Sequence, residues 1–376
     1  MAKGGFVIRG RIDGLDAWRA GLMLGGLLVH GSVLADDLAL FRGIELTSAA
    51  FRMGAFFAIS GMLAALVMAR RRPIDWLAKQ SVRVGVPALV GILVLSPVTS
   101  LTMRAAAADR AHAMGGALFD WHHLWFLFVL LIYQAIAYLL FTRIDRRRFV
   151  GLLRRVRAIG QIGVLAAIGL ASLLLIGATL TAISEWTPER YWPALLQLRL
   201  ILRYMPLYFL GFVLGLSRAS RAAMLGTIFV PIAMLAAVLA AALLWYLAMA
   251  PGADPITASQ WSGTMRLVIE AVCPPAAIVL ILRSALKIRE VRPFFDRLCL
   301  ASFTIYMLHY PILVAINAVV GPFDWNPYLQ YAGAVIFTAL FCYALHFRVV
   351  ERSRTLSLLL NGRLPPLRRT APVAAV

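Results

Sequence analysis

Charged residues are scarce in this chain of 376 residues. Asp, Glu, Lys and Arg together make up 14%, against about 25% in an average soluble domain. A soluble globule of this length needs a mostly polar exterior, so the shortage excludes one. Disorder is excluded too, because 61% of the residues are hydrophobic and disordered chains are poor in them. Cysteine is rarer still. Cys273, Cys299 and Cys342 lie in or beside apolar stretches, with no Cys-x-x-Cys pair. That leaves no disulfide framework and no thiolate metal centre, and the three read as helix-packing residues. No Gly-rich phosphate loop follows a strand, no His-Glu-x-x-His occurs, and no nucleophile-elbow serine is present. ATPase modules, zinc peptidases and serine hydrolases are thereby set aside, and no metal or permanently bound cofactor is expected.

What the chain has in quantity is apolar sequence. Ten apolar segments stand out at about 16–34, 50–69, 84–103, 124–141, 162–184, 198–216, 223–250, 264–286, 299–320 and 328–349. Each approaches the ~20 residues that a membrane-spanning helix requires. The expected fold is all-α and polytopic, with about ten transmembrane helices in a single membrane-embedded domain. Its core covers about 12–350, and a basic tail follows over 351–376. No inserted soluble domain and no solenoid repeat is visible. No inverted repeat with paired broken helices is evident either, which weakens a secondary-transporter reading.

Acids are the minority charge, 17 against 37 Lys and Arg, for a net charge of +20. In a soluble protein this balance would point to nucleic acid. Here the cations fall in alternate connections, as the positive-inside rule requires. One set holds Lys3, Arg9 and Arg11; Arg70 to Arg83; Arg143 to Arg157; Arg218 and Arg221; Arg283 to Arg297; and Arg348 to Arg369. The other holds Arg42, Arg104, Arg110 and Arg190. The split places both termini in the cytoplasm, with no nucleic-acid partner expected. A competing reading takes the N-terminal run, ending at Val33-Leu34-Ala35, as a cleavable signal. Arg19 and His30 inside the run count against it.

Ionisable groups within a span are costly and therefore candidates for function. Arg19 and His30 are eleven residues apart. At ~100° and ~1.5 Å per residue they share one helix face and stand about 16 Å apart. Arg19 then sits near the inner boundary and His30 past the midplane. The alternative is a snorkelling arginine and a packed histidine. The second span holds Arg52 and Phe56-Phe57-Ala58-Ile59-Ser60-Gly61, in which Ser60 is either a substrate contact or part of a close-packing notch. Lys79 and Arg83 stand at the inner boundary, where a phosphorylated donor would arrive. His122 and His123 precede Trp125 at the outer interface, and adjacent histidines cannot form one metal face of a helix. In the ninth span Ser302, Tyr306 and His309 fall at i, i+4 and i+7, on one face. Arg266 and Glu270 are spaced as a buried ion pair.

Taken in order, these motifs resemble the acyltransferase family 3 of integral membrane O-acyltransferases. The resemblance runs from Leu15 to about His346. It rests on Leu15-Asp16-Ala17-Trp18-Arg19 with His30, on the Phe-Phe-x-x-Ser-Gly stretch, and on the basic segment ending at Arg83 and Pro87. His123-Leu124-Trp125-Phe126-Leu127 and Ser302, Tyr306, His309-Tyr310-Pro311 complete it. Phe51-Arg52-Met53 and Arg83-Val84-Gly85-Val86-Pro87 look like the branch containing glucan biosynthesis protein C, which succinylates periplasmic glucans.

The resemblance implies transfer from cytoplasmic acyl-CoA (succinyl-CoA or acetyl-CoA) to a hydroxyl of an extracytoplasmic glycan. It implies Arg19 and His30 as the catalytic pair. Arg19, Lys79 and Arg83 then serve donor phosphates, while Ser60, His123, Tyr306 and His309 line the substrate path. One departure is visible: where relatives carry Arg-x-x-Arg, this chain has Gln80-Ser81-Val82-Arg83, with Lys79 one place off. His30 would act as general base or as an acyl-carrying nucleophile. Short outer loops leave room for periplasmic or glycan-synthesis partner proteins. The competing function is a glycan or lipid-precursor flippase that uses the same polar path without chemistry.

Overall fold

The computed structural model describes residues 13–32, 39–107, 118–144, 146–188, 191–249, 255–288, 290, 292–323 and 325–363. Lys3, Arg9, Arg11, Val33-Leu34-Ala35, Arg110, Arg190, Arg289, Arg368 and Arg369 lie outside them. The described residues are helical, with no strand among them. Among the described residues the apolar segments lie on helices, apart from the break at 225–228 inside the 223–250 segment. Among the described residues, eight helices are long and apolar enough to cross a bilayer. A ninth span forms if α9 (Arg218–Met224) and α10 (Phe229–Met249), bent by 48° at their junction, count as one. The first helix, α1 (Asp13–Gly31), is not among these. Asp13, Asp16 and Arg19 in its first two turns dilute its apolar character. The protein is a multi-pass membrane protein.

Prolines shape several of these helices. The third segment runs through α3 (Pro73–Gln80), α4 (Val86–Val90) and α5 (Ser96–Ala107), joined by π-helical turns at Ser81–Gly85 and Gly91–Leu95. Proline has no N–H to give the carbonyl four residues earlier, and its ring crowds that carbonyl. For Pro87 and Pro97 those carbonyls belong to Arg83 and Leu93, and each falls in a widened turn. In α7 (Arg146–Trp186), Gly160 breaks the helix with φ 71°, a conformation that glycine adopts without a Cβ penalty. The break divides a basic arm from an apolar span.

Small residues set the central packing. α2 (Ala39–Met68) lies against α8 (Trp192–Leu216), backbone on backbone. A Cβ on Gly61 would strike the Tyr208 carbonyl, and one on Gly211 would strike the Ala58 carbonyl. Gly215 meets Met62 in the same way, completing a Gly-x-x-x-Gly seam of the kind that brings membrane helices close. Gly61 therefore supplies a close-packing notch, while Ser60 lines the cavity described below. Arg221 closes the end of α8 by donating to the Leu214 and Gly215 carbonyls at 2.7 and 3.0 Å. Cys273 and Cys342 are buried and Cys299 is half-buried, its Sγ 3.8 Å from the Asp16 carbonyl.

Candidate active site

α1 packs against α2 and against α12 (Pro293–Val320). Two regions form along α1. At its N-terminal end lies a cavity of about 640 Å³, lined by Asp16, Arg19, Phe56, Ser60, Arg83 and Ser302 among others. Towards its C-terminal end, His30 meets a cluster of rings. The His30 ring centroid lies 5.2 Å from His309, 5.0 Å from Tyr310 and 6.2 Å from His123. His123 lies 5.1 Å from both His309 and Tyr310. The rings of Phe56, Phe126 and Tyr306 lead from cavity to cluster in two steps, 4.6 and 5.6 Å between centroids.

Hydrogen bonds set the tautomers of two neutral imidazoles. His309 Nδ1 faces the Tyr306 and Ile305 carbonyls at 2.6 and 3.1 Å. Carbonyls only accept, so Nδ1 carries the proton and the neutral ring keeps a lone pair on Nε2. That Nε2 is buried and has no hydrogen-bond partner. His123 is the mirror case: Nε2 donates to the Met307 carbonyl at 3.3 Å, and Nδ1 is buried without a partner. The Tyr306 hydroxyl donates to the His123 carbonyl at 2.7 Å and fixes the loop that presents it. His122 points elsewhere, to Ser100 Oγ at 2.9 Å. The two neighbours diverge because His122 sits at φ 39°, a left-handed conformation uncommon outside glycine.

Each residue singled out from the sequence has a place. Arg19 is in the cavity wall, 3.9 Å from the Asp16 carboxylate and with its guanidinium 5.3 Å from the Phe56 ring centroid. Its Nε is buried without a hydrogen-bond partner. Ser60 lines the same cavity and its buried Oγ has no partner. Arg83 lines both this cavity and a neighbouring one of about 560 Å³, whereas Lys79 lines only the second. His30, His123, Tyr306 and His309 come together in the ring cluster. Ser302 stays with the cavity and donates to the Cys299 carbonyl. Among the described residues, no group of three His, Cys, Asp or Glu side chains is arranged to hold a metal ion.

The sequence did not place two contributions to the site. Arg52, on α2, reaches across to α1 beside the histidines. A Cβ on Gly26 would lie 3.1 Å from Arg52 Nη1 and 3.8 Å from His309 Nε2, so the glycine admits both groups. Arg52 Nε donates to Ser48 Oγ at 2.7 Å, which braces the guanidinium. An arginine in an apolar span with no acid near it in sequence was the available signal. The second contribution comes from beyond residue 350. Glu351, Ser357, Asn361 and Arg363, assigned to the tail, are in the cavity wall.

The ion pair expected of Arg266 and Glu270 forms at 3.0 Å, but Arg266 is 63% exposed; the buried partner of Glu270 is Arg203, 3.0 Å from the other carboxylate oxygen. This group is separate from the cavity lining.

A protein-family model described as an acyltransferase domain, of the third such family, matches residues 12–347. No curated protein matches the chain, and no solved structure does.

Proposed function

The chain belongs to the acyltransferase 3 family and is a membrane acyltransferase; from that premise we propose that it moves a succinyl or acetyl group from cytoplasmic acyl-CoA to a glycan hydroxyl outside the cytoplasmic membrane. The acceptor favoured is a periplasmic glucan, and both chain ends face the cytoplasm. One observation carries the reading. A single helix joins an arginine-walled cavity at Arg19 to an imidazole cluster at His30, about 16 Å further along.

The cavity's 640 Å³ suits a small-molecule ligand, for which ~300–1,000 Å³ is usual. Arg19 and Arg83 hold the donor's phosphates, for which guanidinium groups are geometrically matched. The thioester arm then extends past Phe56 towards the histidines. His30 takes the proton of the acceptor hydroxyl as the oxygen attacks the thioester carbonyl. The carbon–sulfur bond breaks, the acyl group stays on the sugar oxygen, and the thiolate leaves with the proton from the imidazolium. Arg52 is the cation nearest the reacting centre and offsets the charge on the carbonyl oxygen. His309, with its lone pair on Nε2, stands beside His30 as a second proton acceptor.

The test compares glycans from cells carrying the wild type, His30→Ala or no protein, at matched membrane levels. Mass spectrometry should find an ester adduct of ~100 Da (succinyl) or ~42 Da (acetyl) with the wild type alone. A fully active His30→Ala protein would remove His30 from the chemistry. No adduct on any glycan, with the protein folded, would favour the flippase.

A further inference from the structure

We propose that the segment after the family-matched region is part of the donor site, and that Arg363 binds the phosphates of the donor beside Arg83. The proposal rests on the acyl-CoA reading above.

The match to the family ends at residue 347, but the fold continues. After a π-helical turn at His346–Val350, Ser353 caps α14 (Arg354–Asn361), its Oγ accepting from Leu356 N–H at 3.3 Å. The far end is anchored by buried side chains. Thr304 Oγ1 donates to Asn361 Oδ1 at 2.9 Å, which leaves Thr304 to accept from His346 Nδ1 at 2.8 Å. The chain then turns at Gly362, in the left-handed region with φ 57°. A Cβ there would overlap the backbone of Arg83. Glycine at this position thus allows the turn and the direct contact with the widened turn that carries Arg83.

The next residue is Arg363, which lines both cavities together with Gln80 and Arg83. Arg19, Arg83 and Arg363 all line the larger cavity, and so do Asp16 and Glu351. Ser357 and Asn361 add neutral polar groups from the same short helix. Three cations on one cavity suit a ligand with several phosphates, since each binds phosphate by charge-assisted hydrogen bonds. CoA carries a diphosphate and a separate 3′-phosphate; its pantetheine arm carries none. Arg363 therefore distinguishes the nucleotide end of the donor from the acyl end.

The experiment uses the full chain in detergent, with the CoA thioester and the matching S-acyl pantetheine as alternative donors. Arg363→Ala should raise KM for the CoA thioester about tenfold or more while kcat changes little, as expected for loss of a charged hydrogen bond. KM for S-acyl pantetheine should stay at the wild-type value, and Arg363→Lys should recover part of the CoA effect. Calorimetric binding of CoA itself should weaken by a similar factor. Gly362→Ala, which shifts Arg363 off Arg83, should show the same donor-selective defect. An equal loss with both donors would assign Arg363 to packing and overturn the proposal, as would an unchanged KM for the CoA thioester. A wild type that uses S-acyl pantetheine but binds no CoA would overturn the donor reading, and this proposal with it.

Discussion

His123 donates to the carbonyl of Met307, the residue four positions before Pro311. Proline at 311 has no N–H for that carbonyl, so a loop histidine satisfies a helix's orphaned acceptor. The bond sets the tautomer of His123 and holds its ring against His309. Pro311→Ala restores a helical donor in competition with His123. Acyl transfer should fall about fivefold, the equivalent of a bond worth about 1 kcal/mol, with membrane expression unchanged. Unchanged turnover would show that the His123 bond does not support the reaction.

His309 can be divided into its two nitrogens. His309→Asn keeps a donor in place of Nδ1 for the Tyr306 carbonyl and removes the lone pair at Nε2. Turnover should drop about a hundredfold, the lower range for loss of an acid–base group, with thermal unfolding in detergent little altered. If turnover and unfolding fell together, His309 would be a packing residue only.

Gly26 tests the role of Arg52. The space it leaves is occupied by Arg52 Nη1 and His309 Nε2, both ends of side chains. Gly26→Ala should cost activity modestly because the guanidinium can shift, whereas Gly26→Leu should abolish transfer. Turnover at matched expression measures the series, and equal activity for both variants would separate Arg52 from the reaction.

Gly61 and Gly211 should behave differently, because what they meet is backbone. Gly211→Ala must part α2 from α8 and should destabilise the protein by about 1–3 kcal/mol, the usual cost of overpacking. A lower midpoint of thermal unfolding in detergent is the expected result. An unchanged midpoint would show that the seam can open at no cost.

The Arg203–Glu270 pair should dominate stability at the other side of the bundle. Glu270 is 7% exposed and holds Arg203 and Arg266 at once. Glu270→Gln leaves the buried Arg203 charge without its partner, and such losses cost ~3–5 kcal/mol. Arg266→Ala should cost far less, since that side chain is 63% exposed. Chemical denaturation of the two variants compares them directly.

What the sequence made legible follows from periodicity and cost. Apolar length announced the spans, and helical spacing put Arg19 with His30, and Tyr306 with His309, on single faces. The i,i+4 rule found Arg266–Glu270 but not Arg203, which reaches Glu270 from another helix. Arg52 stood out as a cation in a span, yet its position beside His309 depends on how α1 and α2 pack. The residues beyond 350 were misleading in a different way. Their mixed polar and apolar composition reads as a tail, and only the fold shows Asn361 satisfying Thr304 and Gly362 seated on Arg83. Lys79 was placed with Arg83 as a boundary cation, and four residues on an unbroken α-helix would keep the two within about 40°; the π-helical turn at Ser81–Gly85 alters that phase, and Lys79 lines only the smaller cavity.

The two widened turns between Gln80 and Ser96 also change the phase of everything that follows them. Along an unbroken α-helix, Arg83 and Ser96 would point about 140° apart. Each π turn takes in one extra residue, and two of them bring the pair within about 20° of a common direction. Arg83 accordingly faces the cavity while Ser96 faces inward to accept its place under the Asp120 carbonyl, to which it donates at 2.6 Å. The same rod lines the cavity at one end and braces the loop leading to His122 and His123 at the other. Removing a single residue from Ser81–Gly85 would therefore leave the composition almost untouched and turn one of those two ends away from the protein.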